Sequence, residues 1–535
     1  MKKTLRNIVF FIGAFSLLLF SACEEKIDPI IEELDFTRAF TPVGLTAQIS
    51  NVTMVTLAWS EEKNVDHYLV EIYEGIAFAP ASLLVTSEVE AGVTTYAYDL
   101  PAGDTQFAAR VKSVSSLDGV TESKWATVEF RSAPENLFAN YFSEMTGLGS
   151  CTVRWKPGAI ATALVFVDGG NEVSYPLTAG EIAAGKKELT GIANADYEIR
   201  LVNDTFVRGR TNLVIEGDVL LPAGGDLAAA IAAMAPGGVL VLTNGADYPL
   251  VETDTIRSSI KIRGLLPDNL PTIYLMTGGG NHIFDVDPLM TFSDYVIFEN
   301  VDISCYYDDA GTARNRGVFD VEGSPVSLGS LIFNNCIVRN SGRSVVRLRG
   351  NAEGQVINNV EFNNCVMYDF AFDSHYGMLN PNNATASMVN IKFMDCTIYN
   401  IRGGIVNYGS GFGCESIVVD NCTFDQVMMD ASSGRWLIDF GTSGVNTGTI
   451  TVSDCILGLS SEKANGIRPR TMTLSVTGSY AAADFVDVDG VFKAALIPYA
   501  GTSTALWTDP VNGDFTFLDI HFEGAGSAGA PRWMP

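Results

Sequence analysis

Four guanidinium groups, Arg339, Arg343, Arg347 and Arg349, fall within 11 residues of a chain that carries 34 Lys and Arg against 62 Asp and Glu. A guanidinium presents a planar fork of donors that matches a carboxylate two bonds at a time. Such a cluster reads either as a clamp for an acidic ligand or as surface cations paired with nearby acids. Tyr368, Asn380, Tyr399, Asn407 and Asp439 follow it. Together these residue types suit polysaccharide, because aromatic rings pack on the C–H faces of sugars while amides, acids and guanidiniums bond the hydroxyls. The tyrosines also have a plainer explanation, since pleated sheets favour aromatic side chains.

Catalysis on an acidic sugar would ask for more. A uronate lyase must neutralise the carboxylate, with Ca²⁺ or cationic side chains, and remove the neighbouring proton with a base. Arg347, Tyr368 and His375 supply residue types of that kind, with Asp369 and Asp373 near His375. The four histidines, His67, His282, His375 and His521, stand in no recognisable catalytic phrase. No cofactor is expected, and calcium enters only with the lyase reading.

The elements that must position these residues are read from repetition. From about residue 296 one phrase recurs, as Ile297-Phe298-Glu299-Asn300-Val301, Ile332-Phe333-Asn334-Asn335-Cys336 and Glu361-Phe362-Asn363-Asn364-Cys365. It returns around Cys396, Cys422 and Cys455, at intervals from Val301 of 35, 29, 31, 26 and 33 residues. A period of 20 to 50 with uneven insertions marks a solenoid. Each phrase is a strand, a turn at Asn or Asp and another strand, which predicts a parallel β-helix with one coil per repeat and coils about 4.8 Å apart. The cysteines then form one interior column. A line of one cysteine per coil offers no tetrahedral metal pocket, and in-register side chains point the same way, so free packing thiols are expected.

Alternation fixes which residues face out. Three positions after the interior column lie Ser304, Arg339, Tyr368, Tyr399, Asp425 and Gly458. A second strand aligns through Phe319-Asp320-Val321, Val346-Arg347-Leu348, Leu379-Asn380-Pro381, Val406-Asn407-Tyr408 and Ile438-Asp439-Phe440, with an outward column of Asp320, Arg347, Asn380, Asn407 and Asp439. The candidate ligand-binding residues are therefore Arg339, Arg347, Tyr368, Asn380, Tyr399, Asn407 and Asp439, drawn from these two outward columns.

Upstream of the solenoid the patterning is that of sandwiches. Met54–Trp59, Tyr68–Tyr73 and Phe107–Val111 are short alternating strands,. With Trp59 on an early strand and Leu100-Pro101-Ala102-Gly103 before a late one, residues 41–132 resemble a fibronectin type III domain, with Phe107 where that family usually has its corner tyrosine,. Residues 135–216 resemble a second copy, with Trp155 on its early strand and Tyr197 placed as a corner tyrosine. Leu227–Met234 reads as a short helix that caps the first coil,. Residues 217–535 resemble the right-handed, pectate-lyase-like β-helix superfamily, and the whole resembles Bacteroidetes surface lipoproteins joining fibronectin-like modules to such a helix. The closing phrases Asp509–Phe515 and Gly529–Trp533 carry the same resemblance. It implies an association with glycan utilisation. The phrases typical of pectate lyases and polygalacturonases, such as Trp-Ile-Asp-His or Gly-His-Gly, do not occur.

The beginning of the chain supplies an address. Lys2, Lys3 and Arg6 precede an apolar run of 13 residues, Ile8–Phe20, then Ser21-Ala22-Cys23 and the acidic Glu24-Glu25. Crossing a bilayer takes roughly 20 apolar residues, so residues 1–22 read as an export signal rather than an anchor. Ser21-Ala22-Cys23 resembles a bacterial lipobox, which implies lipidation of Cys23, and the acidic pair resembles a signal for export to the cell surface. Residues 23–40 form an acidic tether. Membrane attachment is then through lipid only, at the outer membrane, and the net charge of -28 excludes nucleic acid as a partner,. The sequence thus leads to an all-β, non-catalytic surface lipoprotein that binds polysaccharide, uronic-acid polymers among the candidates, with an outer-membrane glycan importer as an expected partner. A polysaccharide lyase and a structural or adhesive envelope protein are the alternatives.

Overall fold

The computed structural model describes residues 37–276, 280–305, 316–371, 376–381, 383–409, 411–441 and 446–535. The export signal with Cys23, most of the acidic tether, Asp373 and His375 lie outside the described residues.

The first sandwich pairs Thr46–Ser50, Met54–Ala58 and Thr95–Asp99 in one antiparallel sheet, and Leu83–Glu90, Val65–Glu74, Gln106–Ser115 and Ala126–Arg131 in the other. In its longest strands Tyr68, Val70 and Ile72 meet Phe107, Ala109 and Val111 in the core. Trp59 packs edge-on against Tyr68 at 5.3 Å. Phe107 stacks on Phe130, so packing occupies the place where a corner tyrosine would bond.

The second sandwich repeats the same strand order. One sheet runs Lys186–Thr190, Ser150–Arg154, Glu144–Gly147, and the other Asn171–Pro176, Ala163–Asp168, Ala195–Asn203, Phe206–Ile215. Trp155 and Phe166 are buried in it. The Tyr197 hydroxyl donates to the Ala193 carbonyl at 3.1 Å, the backward bond of a tyrosine corner,. A helix at Ala179–Ala184 has no counterpart in the sequence reading. Thr178 accepts from the Glu181 amide while the Glu181 carboxylate accepts from the Thr178 amide, a capping box that the Thr-x-x-Glu spacing spells out,.

Beyond it the chain winds into three parallel sheets. Sheet I has ten strands from Val219–Leu221 to Thr473–Thr477, sheet II ten from Asp247–Leu250 to Ile497–Pro498, and sheet III eight from Asp254–Ile256 to Asn465–Arg468. The corner between sheets I and II explains the recurring phrase. Asn300, Asn335, Asn364, Asp395, Asn421 and Asp454 all hold φ between 49° and 58°. Asn and Asp visit this left-handed region at lower cost than other side-bearing residues, so a single one turns the strand. The next residue then points inward. Cys336, Cys365, Cys396, Cys422 and Cys455 are buried free thiols, and the Cys365 thiol donates to the Phe333 carbonyl of the preceding coil at 3.3 Å. At the corner the Asn335 amide donates to the Asn300 Oδ1 at 2.6 Å, and Asn364 to Asn335 at 3.0 Å. Inside, Phe298, Phe333, Phe362 and Phe393 stack with centroids 5.3, 4.8 and 5.1 Å apart, close to the coil spacing of about 4.8 Å,.

The first coil is covered by the chain itself. The helix Leu227–Ala233 is capped by Asp226, which accepts from the Ala229 amide, and it turns Leu227 and Ile231 onto the core. After the last coils the chain returns along the outside of sheet II. There Leu506, Trp507, Phe515, Phe522 and Ala528 form a separate apolar cluster with Tyr399 and Ile456. The Ala530 amide donates to Thr423 Oγ1 at 2.9 Å, and Trp533 Nε1 to Thr397 Oγ1 at 2.8 Å. This segment is hereafter the strap. Among the described residues no helix is long and apolar enough to cross a membrane.

Candidate functional site

The seven candidates, drawn from two outward columns of the sequence, lie on two sheets of the structure. Arg339, Tyr368 and Tyr399 stand in register on sheet II, between Ser304 and Asp425. Arg347 and Asn380 stand in register on sheet III, below Asp320. Leu379 opposes Val406 there, so Asn380 is followed by Asn407, which opposes Asp439.

On sheet II the outward column is consumed by packing. Tyr368 and Tyr399 stack at 4.9 Å, and Phe515 of the strap meets Tyr399 at 5.6 Å. Tyr399 is buried, and burial pushes its phenol far up from its ordinary value. The ring face expected to receive a sugar is occupied by the chain itself, because outward alternation specifies a direction and not an open surface. Arg339 grips Asp302 of the preceding coil through Nε and Nη2 at 2.8 to 3.1 Å. The four-arginine cluster is likewise divided. Arg347 and Arg349 lie 3.8 and 3.7 Å from Asp320, and Arg349 also contacts Glu322. The reading of these cations as partners of nearby acids therefore describes Arg339, Arg347 and Arg349.

Sheet III holds a different arrangement. Its column continues past Asp439 to Arg468, which follows it by 29 residues and opposes it in register. Arg468 bonds Asp439 through Nε at 2.6 Å and Nη2 at 2.8 Å, and its guanidinium lies 4.9 Å from the Trp436 ring. At the other end the Arg347 guanidinium lies 4.2 Å from the ring of Tyr376. A cation on an aromatic face is held in orientation as well as attracted. Arg468, Trp436 and Tyr376 were missed from the sequence, although Gly466-Ile467-Arg468 repeats the spacing of Leu437-Ile438-Asp439.

The two ends of this column differ in access. Asp320, Arg347 and Asn380 are buried, while Asn407, Trp436, Asp439 and Arg468 are half-buried. Beside the open end is a cleft of about 40 Å³ lined by Gly377, Gly404, Asn407, Gly434, Arg435, Trp436 and Asp439. Glycine is obligatory at 404, where a Cβ would lie 1.9 Å from the Trp436 carbonyl oxygen. Arg435 is fixed at the rim by Asp430, whose Oδ2 accepts from Nη2 at 2.6 Å. Burial opposes ionisation of Asp430, yet bonds from Ser432 and Arg435 hold it well below the usual carboxylate range.

One feature of the buried end is costly. Asn380 is 0% exposed, and neither its Nδ2 nor its Oδ1 has a hydrogen-bond partner. Neither oxygen of buried Asp320 accepts a hydrogen bond, its cations standing beyond bonding distance. An unpartnered buried polar group costs about 1–3 kcal/mol, and the indole nitrogens of Trp59, Trp155 and Trp507 in the apolar cores are in the same position,. Among the described residues no group of three His, Cys, Asp or Glu side chains is arranged to hold a metal ion.

No protein-family model matches this chain, and no curated protein matches it. Among solved structures, a two-domain fibronectin type III segment from chicken tenascin is similar at 15% identity. That match covers 33% of this chain and 98% of the tenascin segment, with a TM-score of 0.20. Strand order and register within the chain itself carry the assignment: it is an all-β protein in which two fibronectin type III-like sandwiches precede a three-sheet parallel β-helix.

Proposed function

We propose that this protein is a non-catalytic, glycan-binding lipoprotein of the outer cell surface, anchored through lipid on Cys23, with polysaccharide lying along sheet III. The observation that carries the reading is the in-register run Asn407, Asp439 and Arg468, backed by Trp436 beside the glycine-walled cleft. Parallel coils repeat every ~4.8 Å, so successive side chains of one column meet successive parts of an extended polymer. A planar acid–guanidinium pair offers several fixed hydrogen-bonding positions, and the indole edge supplies an apolar surface for a sugar ring. The non-catalytic part rests on Arg347, which is engaged by Asp320 and Tyr376, and on Tyr368 and Tyr399, whose phenols burial pushes up and away from use as bases. Two sandwiches between anchor and solenoid suit a spacer role, and captured glycan would pass to an outer-membrane importer.

Affinity electrophoresis against a polysaccharide panel tests the reading. Retardation on at least one polymer, reduced by Asn407→Ala with the melting curve unchanged, is expected; no retardation on any polymer overturns it. Steady ultraviolet absorbance on incubation with polygalacturonate is expected for a protein without lyase activity. Labelling by radioactive palmitate, abolished in Cys23→Ala, tests the anchor.

A further inference from the structure

Along sheet III both guanidiniums of the outward column already face a carboxylate on the preceding coil. Arg347 follows Asp320 and Arg468 follows Asp439, with Asn380 and Asn407 between the two pairs. The column reads acid, guanidinium, amide, amide, acid, guanidinium. Its two carboxylates cancel its two guanidiniums, and at the accessible end the pairing is bidentate, at 2.6 and 2.8 Å.

A carboxylate-bearing sugar placed here would have to displace Asp439 from Arg468 or lie beside it, and like charges brought together at an interface weaken binding. A hydroxyl group has no such conflict. It donates one hydrogen bond and accepts others, so it can serve an acid, an amide and the outer N–H groups of a guanidinium without disturbing the pair. Asn407, half-buried at the open end, offers both a donor and an acceptor and so meets a hydroxyl in either sense, whereas a carboxylate can only accept,.

We infer that the sheet III column selects uncharged, polyhydroxylated glycans and discriminates against uronic-acid polymers. This rests on the glycan-binding reading above and narrows its ligand class.

The test is affinity electrophoresis and calorimetry of the full chain on paired polymers. Polygalacturonate, alginate and hyaluronan are each compared with their carboxyl-reduced forms, which keep the linkages and replace each carboxylate by a hydroxymethyl group. Neutral galactan, mannan, xylan and glucan complete the panel. The wild-type protein is expected to bind at least one uncharged polymer about tenfold or more tightly than any acidic one, the scale on which a charged partner left unpaired is felt. That binding should change less than about twofold between low and high salt, since no net charge is neutralised. Asp439→Asn should narrow the gap by releasing Arg468 toward the acidic polymers. An acidic parent that binds as tightly as its reduced form, or binding that falls steeply with salt, overturns the inference while leaving glycan binding intact. Failure of every polymer to bind removes the glycan reading itself. The wild-type comparisons stand even if the variant does not fold.

Discussion

Sheets II and III carry outward ladders that look alike in sequence, and the structure treats them in opposite ways. On sheet II the column Arg339, Tyr368, Tyr399 and Asp425 is satisfied from within, by Asp302, by ring stacking, and by the strap through Phe515. On sheet III the column retains a buried amide and a buried carboxylate without hydrogen-bond partners, and its last members are half-buried. A ladder in a β-helix is a consequence of register, because stacking one coil on the next aligns whatever the repeat contains. What distinguishes packing from a site is what lies against the ladder.

The strongest way to break this comparison is to remove the cover. Phe515 is fully buried and touches Tyr399, Trp507 and Trp533 at 5.6, 5.1 and 5.8 Å between ring centroids. Phe515→Ala should destabilise the solenoid by about 3–5 kcal/mol, the usual cost of deleting a buried aromatic ring. Denaturant unfolding measures it, and glycan affinity below the transition should be unchanged. A loss below about 1 kcal/mol would mean that the strap is a loose cover and that sheet II is accessible after all.

Next in size is an effect of pH at the joint between strap and sheet II. Burial pushes the Asp425 carboxyl up to about 6, with Asp484 adding to the rise, while bonds from the Leu459 amide and Gln426 oppose it. Asp484 in turn accepts from the backbone and hydroxyl of Ser503 at 3.0 to 3.1 Å. A carboxyl whose folded value is raised above its unfolded one stabilises the fold when protonated. That contribution is complete below the unfolded value of about 3.8 and is lost as pH rises through about 6. Asp425→Asn should therefore raise solenoid stability by about 2–3 kcal/mol at pH 7.5 and have little effect at pH 4. Melting curves at the two pH values decide it, and equal shifts at both would show that Asp425 does not titrate in this range.

How much of this was legible in the sequence follows from the kind of constraint each residue obeys. The corner Asn or Asp and the cysteine after it are local requirements, one for left-handed backbone and one for an inward side chain. The register they set carried over to both outward columns, which pair as the spacing predicts. Arg468 was lost only because the alignment stopped at Asp439, one coil early. The strap was not legible. Ala530 meets Thr423 across 107 residues and Trp533 meets Thr397 across 136, and nothing in an apolar closing segment names the face it will cover. Alternation separates inside from outside, whereas exposure depends on contacts that local pattern does not encode.

A smaller effect on stability, and a larger one on binding, is expected at the open end of sheet III. Trp436 is half-buried and lies 4.9 Å from Arg468. Trp436→Ala should weaken binding of the best glycan about tenfold or more, as central aromatic anchors do, and shift stability by less than about 1 kcal/mol. Tyr368→Ala should show the reverse, with stability reduced and binding kept. If both substitutions acted on binding alone, the two ladders would be parts of one site and the contrast between the sheets would fail.

The smallest expected change is at the most deeply buried of the candidates. Substituting a fully buried, hydrogen-bonded amide by an apolar side chain ordinarily costs several kcal/mol when its partners are stranded. Asn380 strands none, since neither of its polar atoms is bonded. Asn380→Leu keeps the branching of the side chain and removes two unmet polar atoms, so solenoid stability should stay within about 1 kcal/mol of wild type or rise slightly. Denaturant unfolding of the variant gives the number directly. A stability loss beyond about 2 kcal/mol would show that the amide is bonded in the folded protein, placing sheet III with sheet II as a column that serves packing.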